Sequence, residues 1–327
     1  MPPTLDMTAT GEPRPGDYRG GPRPAPTSPP EDAREPSGPT YVFILGTGRC
    51  GSTMLEETLC RHPDVGFISS LDERFRLPAS LARWNNLLYR RVPAAAIPHK
   101  RFVPSEAYAL LDREVSPILS SPVRDLDERD CGPWLSERVR ACFARRAGDQ
   151  DTFVHKFTGW PRARFLHRAL PSARFIHVVR DGRAVANSWL QVAWWRGFGG
   201  PEHWQWGPLP PGLARQWEDA DRSFAVLAGL LWRMLMDAYD VARDALPTES
   251  WLEVRYEDVT ARPEQEFRKM LNFCGLGWSE EFDRGFARQR FDVSRVDAFR
   301  RDLDPYELAR MTEAIAPALS ARGYTTG

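Results

Sequence analysis

The sequence predicts an α/β protein: a P-loop-like, three-layer fold whose central, mainly parallel five-stranded sheet is flanked by helices. Three observations lead there. Five short runs rich in β-branched and aromatic residues (Tyr41–Leu45, Val65–Ser69, Thr152–Phe157, Ala173–Arg180 and Trp251–Tyr256) alternate with stretches of helical character, the pattern that builds parallel sheets. The first run leads straight into a glycine-rich turn and a helix. The chain has 327 residues, enough for one large domain with a full core and a tail.

Residues 1–39 carry eleven of the 29 prolines and almost no aliphatic side chains. Such a segment cannot bury enough surface to offset its ordering entropy, so a disordered tail is expected, with the folded domain over 40–327. The formal net charge is zero, which argues against a chain that coats nucleic acid. Of 44 basic residues only Lys100, Lys156 and Lys269 are lysines, so a lysine inside a motif stands out. Five cysteines are scattered without metal-ligand spacing, the usage of reduced thiols in a cytoplasm; no metal is expected. No apolar run approaches the roughly 20 residues of a membrane span, Phe224–Met236 being interrupted by Arg233, and no secretory pattern opens the chain.

Tyr41–Leu45 reads as a buried strand. Gly46, Gly48 and Gly51 allow a tight turn and close approach of backbone to an anion, and Ser52 and Thr53 open a helix over Met54–Cys60. The first amides of that helix lack internal partners, and with the helix dipole and the hydroxyls they form a phosphate seat. Arg49 adds positive charge at its lip. The nucleotide-triphosphate pattern is not met, because Ser52 stands where its lysine belongs.

After the strand Val65–Ser69, the loop Ser70–Arg74 places Asp72 and Glu73 at a strand's C-terminal end, where open parallel sheets bind ligands. Pairing with Arg74 or Arg76 is the plainer role for them. Pro104-Ser105-Glu106 marks a helix start, and Trp134–Arg146 reads as a helix. Arg90, Arg91, Lys100 and Arg101 form a basic patch, read as a solvated face. Lys156 lies near the end of the third strand, where a buried lysine needs an anionic partner. His155 points to the opposite face and reads as structural.

Ala173–Arg180 is the fourth strand, and Asp181 caps the helix after it. Arg180 ends that strand, and its planar fork can donate two parallel hydrogen bonds. Residues 189–212 are rich in tryptophan and glycine and read as a mobile lid or pocket wall, with plain packing of a helix layer as the equal alternative. Ala214–Leu246 reads as one long helix, Trp251–Tyr256 as the fifth strand, and Pro263–Cys274 and Pro305–Leu319 as closing helices, with an arginine-dense segment at Arg288–Leu303.

The run Arg49-Cys50-Gly51-Ser52-Thr53 resembles the 5′-phosphosulfate loop of sulfotransferases that use 3′-phosphoadenosine 5′-phosphosulfate (PAPS), closest to the group with the tyrosylprotein and many bacterial enzymes. Arg180 and Ser188, eight residues apart and about 130 residues downstream, resemble that family's 3′-phosphate motif. The resemblance implies PAPS as co-substrate with Gly48, Arg49, Cys50, Gly51, Ser52 and Thr53 around the 5′-phosphosulfate, and Arg180 and Ser188 on the 3′-phosphate. It implies Tyr256 beside the adenosine, and Ser294 and Arg295 from a loop folded over the nucleotide. Lys156 would neutralise charge during transfer, and either Asp72 or Glu73 would be the base. Departures are Phe157-Thr158-Gly159 after the lysine, and an acid two or three residues later than in the tyrosylprotein enzymes. The expected reaction is sulfuryl transfer to a hydroxyl or amine of a small-molecule, glycan or lipid acceptor; a homodimer is open. The alternatives are a P-loop small-molecule kinase, disfavoured by the absent loop lysine, and a nucleotide-binding scaffold without turnover.

Overall fold

The computed structural model describes residues 38–326 except 76, 94, 97 and 149; the expected tail lies outside the described residues but for its last two. Five strands, β1 (Thr40–Gly46), β2 (Val65–Gly66), β3 (Thr152–Thr158), β4 (Arg174–Val179) and β5 (Trp251–Arg255), form one sheet in the order β2-β3-β1-β4-β5. Every pairing is parallel. β1 is central and buried from Tyr41 to Gly46; the chain lays β2 and β3 on one side of it and then crosses to lay β4 and β5 on the other. The crevice beyond its C-terminal end is therefore a topological switch point, the place where such sheets bind ligands.

Strand alternation assigns the two faces. Phe43, His155 and Phe175 share one face through the registers Phe43↔His155 and Phe43↔Phe175. Phe143, from the helix Pro133–Ala147, packs edge-on against Phe43, while Tyr239, from the helix Phe224–Asp244, stacks on His177 at 4.1 Å. Ile44 and Lys156 are paired on the opposite face, against the helix Ser52–Leu59 that follows β1. His155 and Lys156 thus point apart, as their adjacency in a strand requires. His155 is fully enclosed beside Phe143 and Phe157, and burial pushes its pKa down to about 3.

Four expectations change. The second strand ends at Gly66 instead of Ser69, because the side-chain amide of Asn86 takes both backbone groups of Phe67 and leaves the sheet nothing to pair with. Ser70–Arg74 is a short helix, closed by a capping box between Ser69 and Asp72. The long helix over Ala214–Leu246 is two helices, Pro211–Asp219 and Phe224–Asp244, parted where Asp221 (φ 49°) and Arg222 (φ 57°) turn left-handed. Ser223 then caps the second by accepting from the amide of Val226. The helix also starts at Tyr108 rather than near Pro104, since Pro104 forms an antiparallel bridge with Ser69.

Candidate active site

The turn between β1 and its helix is held open by unusual backbone. Gly48 (φ 82°), Arg49 (φ 56°) and Gly51 (φ 95°) all lie in the left-handed region. Gly51 is the helix N-cap and offers no side chain to the first amides; its carbonyl takes those of Met54 and Leu55, and the N–H groups of Ser52 and Thr53 have no partner among the described residues. A Cβ on Gly51 would sit 2.3 Å from the ring of Tyr256, so only glycine lets that ring close on the turn. Cys50 is fully buried, which leaves its backbone amide as its contribution to the loop.

Two clusters meet at this turn. In the first, Arg180 donates to the carbonyls of Arg49 (2.9 Å) and Arg295 (2.6 Å) and lies 4.4 Å over the ring of Tyr256. Its Nε is buried without a hydrogen-bond partner. Arg49 reaches back through its own Nε to Ser188 Oγ at 2.8 Å. Asp181 caps the Ser188 helix and grips Arg183, so the element carrying Ser188 is fixed from its first turn.

The second cluster surrounds Lys156. Its Nζ donates to Thr53 Oγ1 at 2.8 Å and stands 3.3 Å from carboxylate oxygens of both Glu56 and Glu106. Burial works against the charge on Lys156, but the two carboxylates outweigh it and hold its pKa above the ordinary lysine value. Glu56 is enclosed, and burial pushes its carboxyl up to about 7 despite the ammonium beside it. Glu106 is half-buried and also accepts from Thr158 Oγ1 at 3.1 Å.

A cavity of about 390 Å³ opens over the turn, and Gly48, Arg49, Ser52, Thr53, Glu106 and Tyr108 form one side of it. Trp194, Gln205 and Trp206, drawn from the tryptophan-rich segment, also line it. Most of that segment's rings are packing: Trp189, Trp195, Trp204 and Trp206 are buried, while Trp194 is about half exposed. Fixed positive charge, unpaired N–H groups and one carboxylate therefore face a common space large enough for a second substrate. Such a space can stabilise an oxyanion and take up a proton.

Asp72 and Glu73 do not reach it. The carboxylate of Asp72 is consumed by the Ser69 amide (3.0 Å), the Ser69 hydroxyl (2.7 Å) and Asn85 (2.7 Å). Glu73 is taken by the Ser105 hydroxyl and the amide of Ala109. Ser294 turns its hydroxyl to Asp292 at 2.6 Å, and Arg295 meets the cluster through its carbonyl, its side chain being exposed. The residues missed from sequence are Glu106 and Glu56. The first sits in a Pro-Ser-Glu read as a helix start; the second is an acid on the inner face of the phosphate-loop helix, a position where an unpaired carboxylate is costly. Among the described residues, no group of three or more His, Cys, Asp or Glu side chains is placed to hold a metal ion, and no helix is long and apolar enough to cross a membrane.

A family model described as "Sulfotransferase family" matches residues 39–280. No curated protein matches the chain significantly by sequence. Among solved structures, the sulfotransferase STF9 from Mycobacterium avium superposes with a TM-score of 0.55 at 14% identity, covering 88% of this chain and 78% of that one. The sulfotransferase domain from the curacin biosynthetic pathway gives a TM-score of 0.50 at 15% identity, covering 88% of this chain and 98% of its own. At these identities the likeness is one of fold.

Proposed function

The chain belongs to the sulfotransferase family, whose donor is PAPS, and on that premise we propose that Lys156 and Glu106 carry the transfer. The co-substrate supplies the sulfuryl group and a leaving phosphate oxygen. The acceptor oxygen or nitrogen forms its bond to sulfur as the bridging S–O bond breaks, and the acceptor's proton passes to Glu106. Lys156, Arg49 and the unpaired amides after Gly51 offset the charge that gathers on the leaving oxygen. Arg180 and Ser188 hold the 3′-phosphate, with Tyr256 beside the adenosine. The orphaned Nε of Arg180 supports that reading, since a buried guanidinium donor without a partner is a seat for an oxyanion.

One observation carries the assignment: Glu106 stands 3.3 Å from Lys156, at the cavity wall, while Asp72 and Glu73 are spent elsewhere. A small-molecule, glycan or lipid hydroxyl fits a space walled by Trp194 and Trp206, whose rings accept sugar faces and flat apolar groups. All five cysteines are unpaired and buried, which supports a reducing compartment such as the cytoplasm. The test is Glu106→Gln with PAP (the desulfonated product) titrated into it calorimetrically. Turnover is expected to fall by about 10²–10⁴-fold with PAP affinity kept, the loss typical of a removed general base. Full turnover in Glu106→Gln would remove Glu106 from the reaction.

A further inference from the structure

At the edge of the sheet opposite the phosphate loop, Arg61, Arg90, Arg91, Arg284 and Arg288 line a cavity of about 380 Å³ in which Glu281 is the one acid. We propose that it is a second anion site, for an organic molecule bearing a phosphate or sulfate group. Its position follows from topology. The eight-residue helix after the phosphate loop, about 12 Å long, carries the chain back to Arg61. Val65 then pairs with Thr152 at the start of β3, whereas the reaction cavity uses Thr158 and Gly159 at its end.

Arg61 is the strongest mark. It is only 7% exposed, its Nε is sealed from solvent without a hydrogen-bond partner, and it makes no ion pair among the described residues. Its recorded partner is the face of Tyr89, 5.0 Å away. A guanidinium cannot discharge itself, and a buried cation with no carboxylate in ion-pair contact can still take an anion. Glu281 at the cavity wall acts on Arg90, and Glu57 on Arg61, through space, and neither carboxylate forms an ion pair with Arg61 among the described residues. Arg90 donates to the carbonyls of Cys60 and Val65, Arg288 to the carbonyl of Arg90, and Arg284 lies 4.0 Å from Glu280 at the surface.

The cavity is built, not accidental crowding. A Cβ on Gly285 would fall 2.8 Å from Cβ of Arg61, so glycine is what lets the helix Glu280–Phe286 settle on the arginine stem. A neighbouring hollow of about 480 Å³ shares Arg90, Arg91 and Glu281 with it and is lined further by Asp64, Leu87 and Trp84, which is 61% exposed. An anionic head among the arginines with a flat body on Trp84 fits that shape, because the indole offers a broad apolar face.

The test compares the full chain with Arg91→Glu/Arg284→Glu, two exposed positions, by calorimetric titration with inorganic phosphate, inorganic sulfate and phenyl phosphate at low salt. The wild type should show one more binding event than the double variant, or at least about tenfold tighter binding at that event, equal to one decade in Kd. Preference for phosphate over sulfate, or the reverse, identifies the head group. Phenyl phosphate should bind more tightly than phosphate, and Trp84→Ala should erase that difference. Superimposable isotherms for wild type and double variant, with thermal midpoints showing both folded, would overturn the site. Phenyl phosphate binding no tighter than phosphate would overturn the organic ligand.

Discussion

Nζ of Lys156 lies 3.3 Å from the carboxylate of Glu56, a residue 1% exposed that does not line the reaction cavity. Burial pushes Glu56 up to about 7 from an ordinary value near 4.5, the pull of Lys156 notwithstanding. Between those values the folded chain keeps a proton that the unfolded chain releases. The contribution of this group is therefore full below the window and lost as pH rises through it. The raised pKa of Lys156 acts in the opposite range, being lost only in strong alkali. Glu56→Gln cannot titrate, so wild type should lose stability relative to it between roughly pH 5 and pH 8. Urea unfolding at several pH values measures the gap; a constant gap would show that Glu56 titrates normally.

Asp72 accepts three hydrogen bonds as a buried cap, and its removal should act on folding. Asp72→Asn is expected to lower the unfolding free energy by about 1–3 kcal/mol, the range for a buried acceptor whose donors are left without it. Its kcat should stay close to wild type. Loss of turnover with an unchanged denaturation midpoint would restore this residue to the chemistry.

Arg180 joins the carbonyls of Arg49 and Arg295 through a planar fork that lysine cannot reproduce. Arg180→Lys should weaken PAP binding at least about tenfold, as replacing a bidentate arginine by a point charge does. Binding of ADP, which lacks a 3′-phosphate, should change little. Parallel titrations read this directly, and equal losses for both nucleotides would contradict the 3′-phosphate assignment.

Trp194 is about half exposed and faces the cavity, so its loss should be felt by the acceptor. Trp194→Ala should raise the acceptor KM, leave PAP affinity intact and move the unfolding free energy within about 0.5 kcal/mol, the usual size for a surface change. Initial rates against each substrate in turn separate the two effects.

What the sequence disclosed is what is local. The phosphate turn, the five strands and the Arg180–Ser188 pair are each written within ten residues, in glycine positions, apolar runs and a single helix. What it concealed depends on pairings across the fold. Glu106 comes to Lys156 because Pro104 bridges Ser69, and nothing near either residue announces that contact. Asn86 stops the second strand from 19 positions away. The Ser69-x-x-Asp72 capping pattern was legible, but an acid at a strand's end satisfies a capping rule and a catalytic expectation alike. Apolar periodicity runs unbroken through Asp221 and Arg222, because those two residues are themselves polar and exposed and only their backbone reverses.

The family match ends at residue 280, yet Arg180 needs the carbonyl of Arg295. Tyr324 bonds Glu257 at 3.0 Å, and Glu257 in turn accepts from the amide of Asp181. The last helix, Pro305–Ser320, lies against the helix Phe224–Asp244 and contributes Met311 and Ile315 to the core. A chain shortened to the family boundary would keep every strand and the whole phosphate turn. It would lose the brace that sets Asp181, and with it the aim of the helix bearing Ser188. For anyone preparing a smaller enzyme, the workable limit lies past Tyr324 and not at the end of the shared segment.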